Sequence, residues 1–152
     1  MNAIDLLKRQ HKEVKSLFKK MEKTEAGRER RQLLDQIEAA LKGHTVIEEE
    51  MFYPAVKGLE TKKAEEMVAE ALEEHHVVKL VLTELPDVDV EDEQFEAKMT
   101  VLSELVEHHA DEEEDEMFKT AKKIGDDELD DLGTRMEARF NEVTGQENRK
   151  AA

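Results

Sequence analysis

Apolar residues recur every three or four positions along most of the chain, the spacing of helices with one buried face. From a cap at Asn2 or Asp5, one face carries Ile4, Leu7, His11, Val14, Leu17, Phe18 and Met21. After a turn at Thr24 to Gly27, a second stripe reads Leu33 or Leu34, Ile37, Leu41, His44, Glu48, Phe52 and Ala55. It predicts a helix from about Arg28 to Val56, with Gly43 making room for a neighbour and Pro54 tightening or kinking the end. Ala64, Met67 or Val68, Ala71 or Leu72, His75, Val78, Leu82 and Leu85 predict a third helix over Lys62 to Leu85. The fourth, Asp92 to Lys123, carries Phe95, Met99, Leu102, Val106, His109, Glu113, Met117, Thr120 and Ile124. Gly125 then turns the chain into a final short helix with Leu129, Leu132, Met136, Phe140 and Val143 on its apolar side. The expected fold is all-α: an antiparallel four-helix bundle with a short fifth C-terminal helix as a lid or brace.

Composition narrows the chemistry. The 152 residues suit one domain, expected over 1–145, with a polar tail at 146–152. There is no cysteine, so thiolate ligands, cysteine nucleophiles and disulfides are excluded. A formal charge of -16 argues against nucleic acid and anionic membranes as partners. No stretch reaches the length of a membrane span and none reads as a signal peptide, so a cytoplasmic location is expected.

Polar residues interrupt the apolar stripes at matching places. His11, His44, Glu48, His75, His109 and Glu113 occupy core positions of four different helices. A lone core histidine is more often hydrogen-bonded and inert. Four imidazoles with two carboxylates, however, form a set able to hold two first-row metal ions, the carboxylates bridging. An oxo, hydroxo or water bridge would complete such a site. On the fourth helix, His108 and Glu112 have the same spacing as His109 and Glu113, and a one-residue bulge would pair His108 with Glu113; helical phase favours His109 and Glu113. The same reasoning favours His75 over His76. Glu49, Glu50, Asp111, Glu114 and Asp115 read as solvated acids. Tyr53, the only tyrosine, lies five residues beyond Glu48. Its hydroxyl belongs either at the surface or, if the helix tightens at Pro54, beside the metals as a proton donor or ligand.

Four fragments together resemble the hemerythrin-like, or HHE cation-binding, family: Gln10-His11, His44 to Pro54, Glu74-His75 with Val78 and Lys79, and Glu107 to Phe118. The resemblance extends to about Gly145. It implies a non-haem centre of two iron ions inside the bundle. Members include oxygen carriers, oxygen or iron sensors, and proteins that handle peroxide or nitric oxide. In the oxygen carriers a second histidine stands where this chain has Lys79, and the fourth-helix carboxylate follows its histidine by five residues rather than four. Both departures point away from reversible oxygen carriage and toward a bacterial subgroup with catalase-like associations, in which the tyrosine matching Tyr53 lies near the iron. The implied function is reaction with dioxygen or hydrogen peroxide, catalase-like removal being its sharpest form. Non-catalytic sensing or binding of oxygen, nitric oxide or iron stays open, as does iron storage or structural metal binding. No protein partner is identifiable.

Overall fold

The computed structural model describes residues 1–145; the expected tail at 146–152 lies outside the described residues. Helix α1 (Ala3–Lys23) starts where the Asn2 side-chain oxygen accepts the Asp5 backbone N–H at 2.8 Å. Helix α2 (Gly27–Ile47) runs directly into a π-helical turn (Glu48–Phe52) and a short α3 (Tyr53–Lys57). Thr61 caps α4 (Lys62–Glu84) by accepting the Ala64 N–H at 3.1 Å. Asp92 caps α5 (Glu93–Glu112), which continues through a second π turn (Glu113–Met117) into α6 (Phe118–Ala121). Gly125, at φ 102°, makes the turn into α7 (Asp126–Thr144), a conformation that side chains with a Cβ rarely adopt. Its opening residues Asp126, Asp127 and Glu128 complement the positive end of the helix dipole.

The four rods α1, α2–α3, α4 and α5–α6 form the bundle, and α7 packs along α1 and α2. Two glycines set that packing distance. A Cβ on Gly43 would meet the Phe140 ring at 2.7 Å, and one on Gly133 would meet the backbone of Met1, Asn2 and Ala3. No described helix is long and apolar enough to cross a membrane.

The stripes predicted unbroken second and fourth helices, whereas both rods are α–π–α. A π turn inserts one residue, so the buried face beyond it advances by one position. Val56 is therefore buried instead of the expected Ala55, and Phe118 and Ala121 join Met117 and Thr120 in the core. On α4 the choice falls on Val68 and Ala71, leaving Leu72 exposed.

The core is in two pieces. One apolar cluster gathers Leu7, Ile47, Phe52, Ala71, Met117 and the inward face of α7. The other gathers Val14, Leu41, Val78, Leu102 and Val106. His11, His44, His75 and His109 each lie between a residue of one cluster and a residue of the other along their own helix. A single polar layer thus crosses the bundle.

Candidate metal centre

All six candidate residues reach that layer and all are buried, Glu48 completely. Two sets of donor atoms each lie within 4.8 Å of one another: His11, His44, Glu48 and Glu113, and Glu48, His75 and His109. Glu48 belongs to both. Its Oε1 lies 3.2 Å from His44 Nε2 and 3.0 Å from His75 Nε2. Glu113 directs Oε1 to His11 Nε2 at 3.2 Å and Oε2 to His109 Nε2 at 3.4 Å. Each carboxylate therefore spans the two histidine pairs.

The outward nitrogens explain why the inward ones converge. His11 Nδ1 donates to Glu114 at 2.8 Å, His75 Nδ1 to Glu49 at 2.8 Å, His109 Nδ1 to Glu74 at 2.7 Å and His44 Nδ1 to Gln10 Oε1 at 2.7 Å. Each bond fixes a ring and leaves its Nε2 facing the layer, the usual support of a metal-binding imidazole. Glu49 and Glu114 are thus not the solvated acids their sequence positions suggested; both are half-buried and hold histidines of neighbouring helices. Glu49 also takes a 2.9 Å ion pair from Lys79, four residues beyond His75.

This arrangement repeats with approximate two-fold symmetry. In α1 and α4 a polar residue precedes an inward histidine, as Gln10-His11 and Glu74-His75. In the other two rods an inward histidine is followed at four by a glutamate doublet, Glu48-Glu49 and Glu113-Glu114. The first member of each doublet turns inward, and the second crosses to the neighbouring helix. That repeated doublet is the sequence signal that identifies the outer carboxylates. Glu74 carries a weaker signal, its place just before His75.

The π turns do the rest. In an α-helix, five residues carry a side chain about 140° around the axis. Here the Tyr53 N–H bonds to the Glu48 carbonyl and the Phe118 N–H to that of Glu113, and the two rings come to lie against His75 and His11 respectively. Tyr53 is 1% exposed, and its hydroxyl donates to Glu113 Oε2 at 2.6 Å and lies 3.1 Å from both His75 Nε2 and His109 Nε2. The phenol faces the layer, but the helix widens upstream of Pro54 rather than tightening at it. Proline is not required for this, since the fourth rod makes the same turn without one.

Neutral imidazoles would leave the layer short of positive charge. With each Nδ1 proton directed outward, it holds inward imidazole nitrogens and carboxylate oxygens against one hydroxyl donor. His75 Nε2 and His109 Nε2 stand 3.1 Å apart, a spacing that requires a proton or a metal cation between the pair. Glu48 Oε2 is buried without a hydrogen-bond partner. Burial favours the neutral forms of His11 and His75, yet facing Glu113 and Glu48 raise their pKa values. His109 is raised strongly, Glu113, Glu48 and Glu74 overcoming its burial. Glu48, despite complete burial, is held well below the usual carboxylate range by His44, His109 and His75. Burial, then Glu48 and Glu113, push the Tyr53 phenol well above its ordinary value, so it keeps its proton. A buried, acceptor-rich layer of nitrogen and oxygen donors has the capacity to hold metal ions.

The alternative candidates lie outside this layer. His76 is exposed on α4. His108 is 70% exposed and pairs with Glu112 at 3.1 Å and Glu74 at 3.6 Å. The π turn begins only after His109, at Glu113, so it does not join His108 to Glu113.

The family described as Hemerythrin HHE cation binding domain matches residues 2–121. Uncharacterized proteins of Mycobacterium tuberculosis strain H37Rv and Mycobacterium bovis are each 32% identical over 148 residues, covering 95% of this chain and 89% of theirs. The crystal structure of a hemerythrin HHE cation binding domain-containing protein from Mycobacterium kansasii superposes with a TM-score of 0.85 at 30% identity, covering 99% of this chain and 91% of that one.

Proposed function

This chain belongs to the hemerythrin HHE cation-binding family, and from that we propose that it is a non-haem di-iron protein reacting with dioxygen or hydrogen peroxide. In this reading Glu48 and Glu113 would be the carboxylates shared between the irons, and His11, His44, His75 and His109 would be the imidazoles that hold them. The observation that carries it is the 3.1 Å approach of His75 Nε2 to His109 Nε2 beside the unpartnered Glu48 Oε2. When bound, the iron pair supplies redox electrons and Lewis acidity. The chain supplies the rest. Nδ1 bonds to Gln10, Glu49, Glu74 and Glu114 orient the rings, and the two apolar clusters keep bulk water from the layer.

Tyr53 is the feature that favours chemistry over simple binding. Its hydroxyl oxygen lies 2.6 Å from Glu113 Oε2 and carries a proton that a reactant in the layer can receive. Iron-loaded protein given excess hydrogen peroxide is expected to release oxygen. Tyr53→Phe is expected to keep its iron and lose turnover by about 10²-fold or more, the lower range for a positioned proton donor. A wild-type protein that changes colour reversibly with dioxygen or nitric oxide but releases no oxygen from peroxide would instead be a non-catalytic binder or sensor.

A further inference from the structure

The two-fold pattern of the layer is broken on one side. The position of Tyr53, five residues beyond Glu48 at the end of its π turn, is matched by Phe118, five beyond Glu113. Phe118 stacks on His11, with ring centroids 5.8 Å apart and planes within 6°, so that half is closed by an apolar ring. Tyr53 instead presents its hydroxyl to His75 and His109. The outer supports differ in the same sense: the neutral amide of Gln10 stands where the other half has the carboxylate of Glu74.

A narrow crevice of about 280 Å³, counting its open mouth, lies on the tyrosine side between α4 and the α5–α6 rod. His109 and Glu113 line its inner end, so it reaches the layer itself. Glu70, Glu74, Glu112 and Glu116 line its walls and mouth, and no lysine or arginine is among its described lining residues. Glu74 and Glu112 are engaged with His109 and His108, whereas Glu70 and Glu116 are exposed at the opening. A cleft lined by one sign of charge focuses its field, attracting the opposite charge and repelling its own.

We propose that this crevice is the entry to the layer, that exogenous species arrive at the His75/His109 half, and that its glutamates favour neutral molecules and metal cations over anions. The inference rests on the metal reading above and specifies the reactant class: dioxygen and undissociated hydrogen peroxide enter readily, while superoxide and other small anions are held off. Glu70 and Glu116 are the specificity-determining residues, because they carry charge at the mouth without supporting any of the four rings.

The test compares wild type, the double variant Glu70→Gln/Glu116→Gln, and a control with equal charge change on α7, Glu128→Gln/Asp130→Asn. Two rates are measured by stopped flow: cobalt(II) uptake by metal-free protein, and azide association with iron-loaded protein. At low ionic strength the mouth variant is expected to take up cobalt about threefold more slowly and bind azide about threefold faster than the control. Both differences should shrink as salt screens the rim. Cobalt uptake and azide rates that match the control, or that move in the same direction, overturn the crevice assignment while leaving the metal reading in place. A protein that takes up no cobalt or iron overturns both.

Discussion

Replacing His109 with alanine is expected to abolish stable metal binding at the His75/His109 pair, whereas His108→Ala leaves metal content at the wild-type level. The two residues are adjacent and chemically identical, so only their direction differs. His109 is buried, receives support from Glu74 at 2.7 Å, and faces Glu113, Glu48 and His75. His108 is 70% exposed against Glu112. Loss of an outer support alone typically costs about 10–100-fold in metal affinity, and loss of the donor itself should exceed that. For His108, an exposed substitution should change stability by no more than about 0.5 kcal/mol. Metal analysis after a mild chelator wash reads the difference. Full metal retention by His109→Ala, or its loss from His108→Ala, would reverse the assignment.

The second large effect lies about a helix away from any candidate ligand. Gly133→Val is expected to lower the melting temperature by roughly 5–15 °C. Even a Cβ at this position meets the carbonyl of Met1 and the backbone of Asn2 and Ala3, and none of these is a flexible side-chain end that can swing aside. Accommodation requires the N-terminal strand of backbone to lift from α7, which also removes the Asn2 cap of α1. Overpacking costs about 1–3 kcal/mol and a lost cap about 1 kcal/mol. At roughly 2–4 °C per kcal/mol for a chain of this size, the sum gives the expected shift. A melt followed by far-ultraviolet circular dichroism measures it. A variant melting within a degree or two of wild type would show that α7 does not depend on this close approach.

The rods and the inward residues are legible in the sequence because burial and helical period are coupled. Leu41, His44, Glu48 and Phe52 keep one phase, and His109 keeps the phase of Val106 where His108 does not. A polar residue inside such a stripe needs a partner, and the stripes therefore point directly to the layer. The π turns are hidden for the opposite reason. One inserted residue leaves helix on both sides, so Glu48 to Ala55 still reads as a continuous α-helical stripe. Tyr53 then falls to the side of Glu48 on a regular helix but faces the layer in the protein, a difference made by the shifted main-chain bonding of the π turn. The outer carboxylates are hidden by their position at the edge of the stripe. Whether Glu49 meets water or His75 depends on which helix stands beside it, and that is a property of the assembled bundle.

Metal analysis with an absorption spectrum of freshly purified protein tests the central claim most directly. Four imidazoles around two spanning carboxylates predict about two irons per chain and an oxo-to-iron charge-transfer band that changes on addition of hydrogen peroxide. Protein that carries no stoichiometric metal, and that also fails to take up added ferrous iron under anaerobic conditions, would contradict it.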